Sequence, residues 1–288
     1  MARPFISLKH YDRRIDKVLE YIDANLARPL QLSTLAVQAS FSPNHFHQIF
    51  RERQGETPQS YVRRCRLERG AALLHYGHRT AIKEIAPQCG FTSVEAFDRA
   101  FHTYFGMTPT EWRRGGYADW NRALAPLRTI AFDLSEVLVQ VKWLPPTRVI
   151  YKRKLGTYKD GEAAPWGELA QVAEPLDIGG QGCFGIGLDD PSVTPSMLCR
   201  FDACIELPTS VNVPVHTPVK AMHGGYHAVL PYLDSMADKE DYWMWLFQVW
   251  LPQSGYKVSH NACFEHYPAG MPTAGASVRS ELCLPVVR

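Results

Sequence analysis

The stretch LAVQASFSPNHFHQIFRERQGETP (residues 35–58) decides the fold of the first part of this chain, because it returns as IAPQCGFTSVEAFDRAFHTYFGMTP (residues 85–109). Leu35-Ala36, Gln38 and Phe41 recur fifty residues later as Ile85-Ala86, Gln88 and Phe91. Phe46, Phe50, Gly55, Thr57-Pro58 and Tyr61 recur fifty-one residues later as Phe97, Phe101, Gly106, Thr108-Pro109 and Trp112, so the turn between has gained one residue. Tandem units of this size predict paired helix-turn-helix modules.

Outward from the repeat, Ile15, Val18, Leu19, Ile22 and Leu26 follow the three-and-four spacing of an amphipathic helix, which Pro29 closes off. Residues 34–39 and 43–54 predict two short helices, with Ser42 an N-cap candidate and Pro43 at the first helical position. Thr57-Pro58 repeats that start signal for a helix reaching about Leu74. In the second copy residues 83–89, 93–104 and 110–114 follow the same plan, and Thr108 with Glu111 forms a capping-box pair.

Within each copy the third helix turns Phe46, Ile49 and Phe50, or Phe97 and Phe101, toward the core. Its other face shows Asn44, His47, Gln48 and Arg51 in the first copy, side chains able to hydrogen-bond base edges or phosphates in a major groove. In the second copy it shows Ser93, Val94, Glu95, Asp98 and Arg99. Glu95 can accept from cytosine N4, whereas phosphates repel Asp98, so the first helix is expected to carry more of the specificity. The same residues on an isolated helix would read only as solvated surface. The helix between the copies bears Arg63, Arg64, Arg66 and Arg69, and could hold the two readers about one DNA turn, roughly 34 Å, apart.

Composition is that of a globular protein with room for two modest domains: 288 residues, 45% hydrophobic and 21% charged. Charge is uneven. Residues 1–116 carry 17 Lys+Arg against 11 Asp+Glu, and the remainder carry 14 against 18, so phosphate contact is plausible only in the first part. Seven cysteines without a CxxC pair argue against a disulfide framework or a zinc ribbon and are expected as buried thiols. His223 and His227 have the helical spacing of zinc ligands, but Gly224-Gly225 between them speaks against a helix, and no metal is expected. No apolar leader follows Met1, and the most apolar segment, residues 242–251, is too short to cross a bilayer, so no membrane contact and a cytoplasmic location are expected.

Leu35-Ala36, Gly55, Tyr61, Arg66-Leu67, Ile85-Ala86, Gly90-Phe91, Phe97, Arg99-Ala100-Phe101, Phe105-Gly106 and Thr108-Pro109 resemble the DNA-binding domain of the AraC/XylS family of transcriptional regulators. That resemblance covers residues 10–116. It implies double-stranded promoter DNA as a partner, with RNA polymerase as a further one. It also implies base reading by Asn44, His47 and Gln48, then by Val94, Glu95 and Arg99.

A connector over residues 117–133 leads to a different period. Val137, Val139, Val141 and Trp143 alternate with Glu136, Leu138, Gln140 and Lys142, as a strand covered mainly on one face requires. A second duplication appears at an offset of 79: Trp166 maps to Trp245, Asp202 to Glu281, Cys204 to Cys283 and Val149-Ile150 to Ala228-Val229. Each half reads as strand, strand, helix, strand, strand. Two such units are expected to pair about a pseudo-twofold axis into an α+β domain with a groove where they meet. In residues 200–207, Phe201, Ala203, Ile205 and Leu207 share one face and Asp202, Cys204 and Glu206 the other; Leu282 and Leu284 likewise oppose Glu281 and Cys283. Asp202 and Glu281 thus hold equivalent strand positions.

Residues 134–288 resemble the GyrI-like effector-binding domain through Tyr158, Asp202, the aromatic run Tyr242-Trp243-Met244-Trp245-Leu246-Phe247, Trp250-Leu251-Pro252, Phe264-Glu265-His266-Tyr267 and Ser280-Glu281-Leu282. The resemblance implies a small amphipathic or cationic effector in an aromatic-lined pocket, with Glu281 as its acidic residue and Tyr158, Trp166, Asp202, Trp245 and Glu265 around it. A carboxylate among rings favours an organic cation by charge and cation-π attraction. No cofactor is implied. Two alternatives stay open: a hydrolase using Glu281 or Glu265 with Tyr158 or Tyr267, although no nucleophile-base-orienter triad is visible, and a docking surface for a protein partner.

Overall fold

The computed structural model describes residues 6–76, 80–124, 138–158, 163–214, 217–232, 238–259, 261–272 and 279–288. The chain divides into two compact units, Met1–Ala123 and Leu124–Arg288.

The first unit is helical. Helix α1 (Ile6–Asn25) buries Ile15, Val18, Leu19 and Ile22, and with Leu26 they pack against Leu35 and Ala36 of α2 (Leu32–Gln38) and Phe46 and Phe50 of α3 (Pro43–Gln54). Helix α4 (Pro58–Tyr76) is buried over most of its circumference, with Gln59, Ser60 and Arg63 left exposed: Tyr61, Val62 and Cys65 complete that first core, while Gly70, Ala71 and Leu74 are buried farther along. The second copy follows with α5 (Ile82–Gln88), α6 (Val94–Phe105) and the short α7 (Pro109–Glu111).

Ring geometry repeats with the sequence. Phe46–Phe50 and Phe97–Phe101 centroids both lie 5.4 Å apart at 63°, and Phe50–Tyr61 (5.4 Å, 82°) has its counterpart in Phe101–Trp112 (5.5 Å, 86°). Gly55 and Gly106 end α3 and α6 in the left-handed conformation (φ 74° and 73°), which glycine adopts without penalty. The capping box forms as the residue types require: Thr108 N–H donates to Glu111 Oε2 (2.7 Å) and Glu111 N–H to Thr108 Oγ1 (3.2 Å).

The connector differs from expectation at its start. Tyr117–Leu124 is helix α8, and Trp120 packs its ring 5.0 Å from Phe105 and 6.1 Å from Trp112, so apolar contact recruits these residues to the helical unit. The expected connector residues 125–133, and Glu136 and Val137 of the expected strand, lie outside the described residues.

The second unit is an antiparallel sheet with helices. Its strands are β1 (Gln140–Leu144), β2 (Thr147–Leu155), β3 (Cys183–Gly187), β4 (Arg200–Glu206), β5 (Val219–Met222), β6 (Gly225–Tyr232), β7 (Lys257–Val258), β8 (Phe264–Tyr267) and β9 (Ser280–Val287). They pair in the order β1-β6-β9-β8-β3-β4-β2-β5, with β7 added to β9. Helix α9 (Ala163–Ala173) buries Trp166, Leu169 and Ala173 on Ile150, Phe201, Ala203 and Ile205. Helix α10 (Lys239–Trp245) buries Tyr242 and Trp245 with Ala228, Leu230, Leu282 and Leu284. By strand alternation both helices cover the same face of the sheet. Val139 and Val141 pack into the α10 core, but Trp143 stays 61% exposed beside Tyr226, because β1 is an edge strand. His223 is exposed, and His227 is buried in β6 with Nδ1 3.0 Å from the Gly225 carbonyl, so the two do not form a helical pair. Six cysteines are buried as expected; Cys263 is half-buried.

The other face of the sheet carries Val149, Tyr151, Phe184, Ile186, Cys204, Val229, Phe264 and Cys283. Among them lies a buried ionic cluster. Arg153 of β2 donates to both oxygens of Asp202 on β4 (2.7 and 2.8 Å), and Lys220 of β5 donates to Oδ2. Burial alone would raise the Asp202 carboxyl, but Arg153 and Lys220 override it and hold it well below the usual carboxylate range. The unfolded carboxyl titrates near about 4. Its ionised form therefore stabilises the fold fully above that pH and loses the contribution as pH falls toward the depressed folded value. Asp202→Asn is expected to cost about 3–5 kcal/mol near neutrality by leaving two buried cations unmatched. In urea unfolding across pH, its gap from the native chain should narrow below about pH 4; a gap that widens on acidification would contradict this assignment.

Candidate functional site

Helix α3 starts where Ser42 is extended (φ −69°, ψ 152°) and Pro43 supplies the first turn; the Ser42 hydroxyl itself makes no cap bond. With Phe46 and Phe50 fully buried, Asn44, Gln48 and Arg51 are left exposed and His47 half-buried on one face. Gln48 Nε2 donates to Glu52 Oε1 one turn on (3.2 Å), and His47, Gln48, Arg51 and Glu52 line a shallow depression.

The equivalent face of α6 differs in chemistry. Ser93 caps it, accepting from Ala96 N–H at 3.1 Å. Val94 is half-buried, and Glu95 and Arg99 are exposed. Hydrogen bonds from its own backbone N–H and from the Ser93 hydroxyl hold the Glu95 carboxyl below its ordinary value, so this carboxylate serves the helix N-terminus as well as the surface. Asp98 is half-buried, with Oδ1 lacking a partner among the described residues; burial first, then Glu95, raises its pKa.

Of the four arginines on α4, two serve the fold. Arg64 is buried and pairs with Glu56 (2.7 Å) and Glu68 (3.0 Å), and Arg66 donates to the carbonyls of Leu26 (2.9 Å) and Arg28 (2.7 Å). Arg63 is exposed and shares a groove of about 400 Å³ with Gln59 and Arg99.

In the sheet unit the helix-covered face holds a compact polar group. Glu265 and Tyr267 alternate on β8, and both point to that face. Lys239, the first residue of α10, places Nζ 2.9 Å from Glu265 Oε2 and 3.2 Å from the Tyr267 hydroxyl, which itself donates to Glu265 Oε2. The same ammonium lies 5.4 Å from the Tyr267 ring centroid and 5.5 Å from that of Tyr232. Trp166 meets Tyr267 edge-on at 5.6 Å. Gly185 faces Glu265 across the ladder, and a Cβ there would come 2.8 Å from the Phe201 ring.

The six residues expected around a ligand do not form one site. Trp166 and Glu265 come together through Tyr267, while Trp245 lies in the α10 core with Tyr232 and Tyr242. The Tyr158 ring packs against Phe201, and its hydroxyl is held by the carbonyls of Asp189 (2.7 Å) and Arg200 (3.1 Å) and by Asp189 N–H (3.0 Å). Burial, then Asp189, pushes its pKa well above the ordinary value, and these backbone contacts fix the hydroxyl in place. Asp202 and Glu281 share a face, as alternation predicts, but it is the face away from the helices. Asp202 is 0% exposed and both its oxygens are taken by Arg153 and Lys220, so neither oxygen is open to a ligand in this arrangement. Glu281 is 34% exposed and lies 2.9 Å from His266 Nδ1, whose ring stacks on Phe184 at 5.1 Å. The acid facing the aromatic residues beneath the helices is Glu265.

Lys239 and Tyr232 belong to that group and were not anticipated. Strand alternation marks Tyr232 as facing the same way as Leu230; no sequence pattern marks Lys239.

A helix-turn-helix domain family matches residues 35–115, and the GyrI-like small molecule binding domain family matches residues 139–287, half of the chain. Among curated relatives, the uncharacterized HTH-type transcriptional regulator YbfP of Bacillus subtilis (strain 168) is 35% identical over 105 residues, covering 36% of this chain and 35% of the relative. The HTH-type transcriptional activator RhaR of Klebsiella pneumoniae is 35% identical over 100 residues, 35% of each chain. The transcriptional regulator Rob of Salmonella typhimurium is 32% identical over 124 residues, 42% of each. This chain thus spans between about a third and two fifths of the length of these relatives. With an AraC-type helix-turn-helix region followed by this module, the chain belongs to the GyrI-like small molecule binding family.

Proposed function

We propose that this protein is a cytoplasmic transcription regulator whose helical unit binds promoter DNA and whose sheet unit senses a small amphipathic or cationic effector. The observation that carries the first half is the repeated ring geometry. The same aromatic packing fixes the inner face of α3 and of α6, so each offers an outer face of polar side chains suited to a groove. The regulator names of the relatives point the same way. On this reading Asn44, His47, Gln48 and Arg51 carry most of the base reading, α6 adds Val94, Glu95 and Arg99, and Arg63 meets phosphate.

The effector reading rests on the family match and on Glu265, which stands with Tyr267 and Trp166 beneath the helices. We further read the sheet unit as two repeats. Supporting this, the path β6-β9-β8 on one side of its centre is matched by β2-β4-β3 on the other, and the offset of 79 places β2 on β6 and β4 on β9.

Alanine at Asn44, His47 and Gln48 together should leave stability within about 0.5 kcal/mol per site. It should also flatten base preference in a selection from random duplexes, by about 1–3 kcal/mol for each bidentate hydrogen-bonded base that the alanines release. Unchanged preference would remove the first reader from this assignment. Arg63→Ala should instead weaken all duplexes alike and reduce the salt slope of binding by about 0.9, read by titration at several ionic strengths.

For the sheet unit, a hydrophobic cation at about 100 times its Kd should raise stability by about 2.7 kcal/mol, seen as a thermal shift. Glu265→Gln should abolish the shift and Glu281→Gln should keep it; the reverse pattern would return the acidic role to Glu281.

A further inference from the structure

We propose that Lys239 is a tethered occupant of the effector site, so that the effector is an organic ammonium that enters only by displacing the lysine head. This deepens the effector reading above and rests on it. A carboxylate and the faces of two aromatic rings are what protein sites use to hold an organic cation. Here they already hold one. The Lys239 ammonium lies 2.9 Å from Glu265 Oε2, 3.2 Å from the Tyr267 hydroxyl, and within 5.5 Å of both tyrosine ring centroids.

A second cation could not share this place, because two like charges against one carboxylate oxygen repel strongly where water is sparse. Water is sparse: Tyr267 and Tyr232 are nearly inaccessible, and the Glu265 and Lys239 side chains are 13% and 20% exposed. A neutral ligand has no charge with which to replace the ammonium, and an anion would meet Glu265. The chemistry therefore selects a cation.

The position of Lys239 makes the exchange feasible. As the first residue of α10 it carries its head on a flexible four-carbon stem, which can turn out without unwinding the helix behind it. Asp238 and Glu240 on either side of it are exposed, so the departing ammonium has water close by. Binding is then an exchange of one ammonium for another, and affinity is reduced by the small fraction of molecules in which the lysine has left.

The test uses the full chain and benzyltrimethylammonium as probe, followed by calorimetry, with folding of each variant checked by its melting transition. Lys239→Met, and Lys239→Gln as the milder variant, should bind the probe on the order of tenfold more tightly than the native chain. Adding Glu265→Gln to either should abolish binding. Equal or weaker binding by the folded Lys239 variants would overturn displacement while leaving the effector reading intact, provided the native chain binds the probe through Glu265. No binding by any variant would also overturn it; the broader reading falls separately, if neutral and anionic hydrophobic compounds likewise fail to shift the melt of the native chain.

Discussion

Helix α4 has to close two hydrophobic cores at once, and that requirement organises the helical unit. A helix that covers one core keeps a polar stripe for water; α4 has given up most of that stripe, with Tyr61, Val62 and Cys65 committed to the first core and Ala71 and Leu74 buried beyond them. Gly70 shows how close the packing runs, since a Cβ there would come 2.8 Å from the Phe97 ring. The buried Arg64 follows from the same constraint. A guanidinium on such a helix is tolerable only if fully matched, and Glu56 and Glu68 match it. Arg66 solves a different problem, donating to the Leu26 and Arg28 carbonyls just past the end of α1, where helical partners have run out.

This explains which parts of the helical unit were legible in the sequence. The buried faces were, because Phe46, Phe50, Phe97 and Phe101 repeat at helical spacing and volume-matched packing leaves them one place to go. Helix ends were close to legible, since Pro43, Gly55, Gly106 and the Thr108–Glu111 pair act through backbone geometry within four residues. The roles of the arginines were not. Arg63, Arg64 and Arg66 look alike in sequence, but Arg64 and Arg66 are set apart by partners on the turn before α4, on α4 itself and just past the end of α1. Helix α8 escaped for a related reason: Trp120 is helical because Phe105 and Trp112 offer it a surface, not because of any local signal.

In the sheet unit, period-two alternation correctly grouped Asp202 with Cys204 and Glu281 with Cys283. It could not say which group the helices would cover. That depends on where α9 and α10 return to the sheet, a property of the connections and not of the strands. Nor could it show that Asp202 is neutralised, since its partners Arg153 and Lys220 lie 49 and 18 residues away in sequence and meet it only once β2 has paired with both β4 and β5. Glu265 was carried only by the family resemblance, although Tyr267 follows it two positions later and alternation puts both on one face.

The two faces of the sheet also differ in what their carboxylates can exchange. Asp202 is inaccessible and its two oxygens are divided between a bidentate guanidinium and an ammonium, so removing either cation strands charge where neither water nor a ligand can reach it. Among the described residues Glu265 meets one ammonium, and its contacts with Lys239 and Tyr267 both fall on Oε2, at a place where the lysine and the acid keep some access to solvent. Replacing one cation by another there leaves the carboxylate paired at both ends of the exchange, and in between its partial exposure lets water share the charge. A carboxylate in the first setting is fixed as part of the fold. One in the second can be handed from an internal partner to an external one, which is the physical condition for a sensor to change state without unfolding.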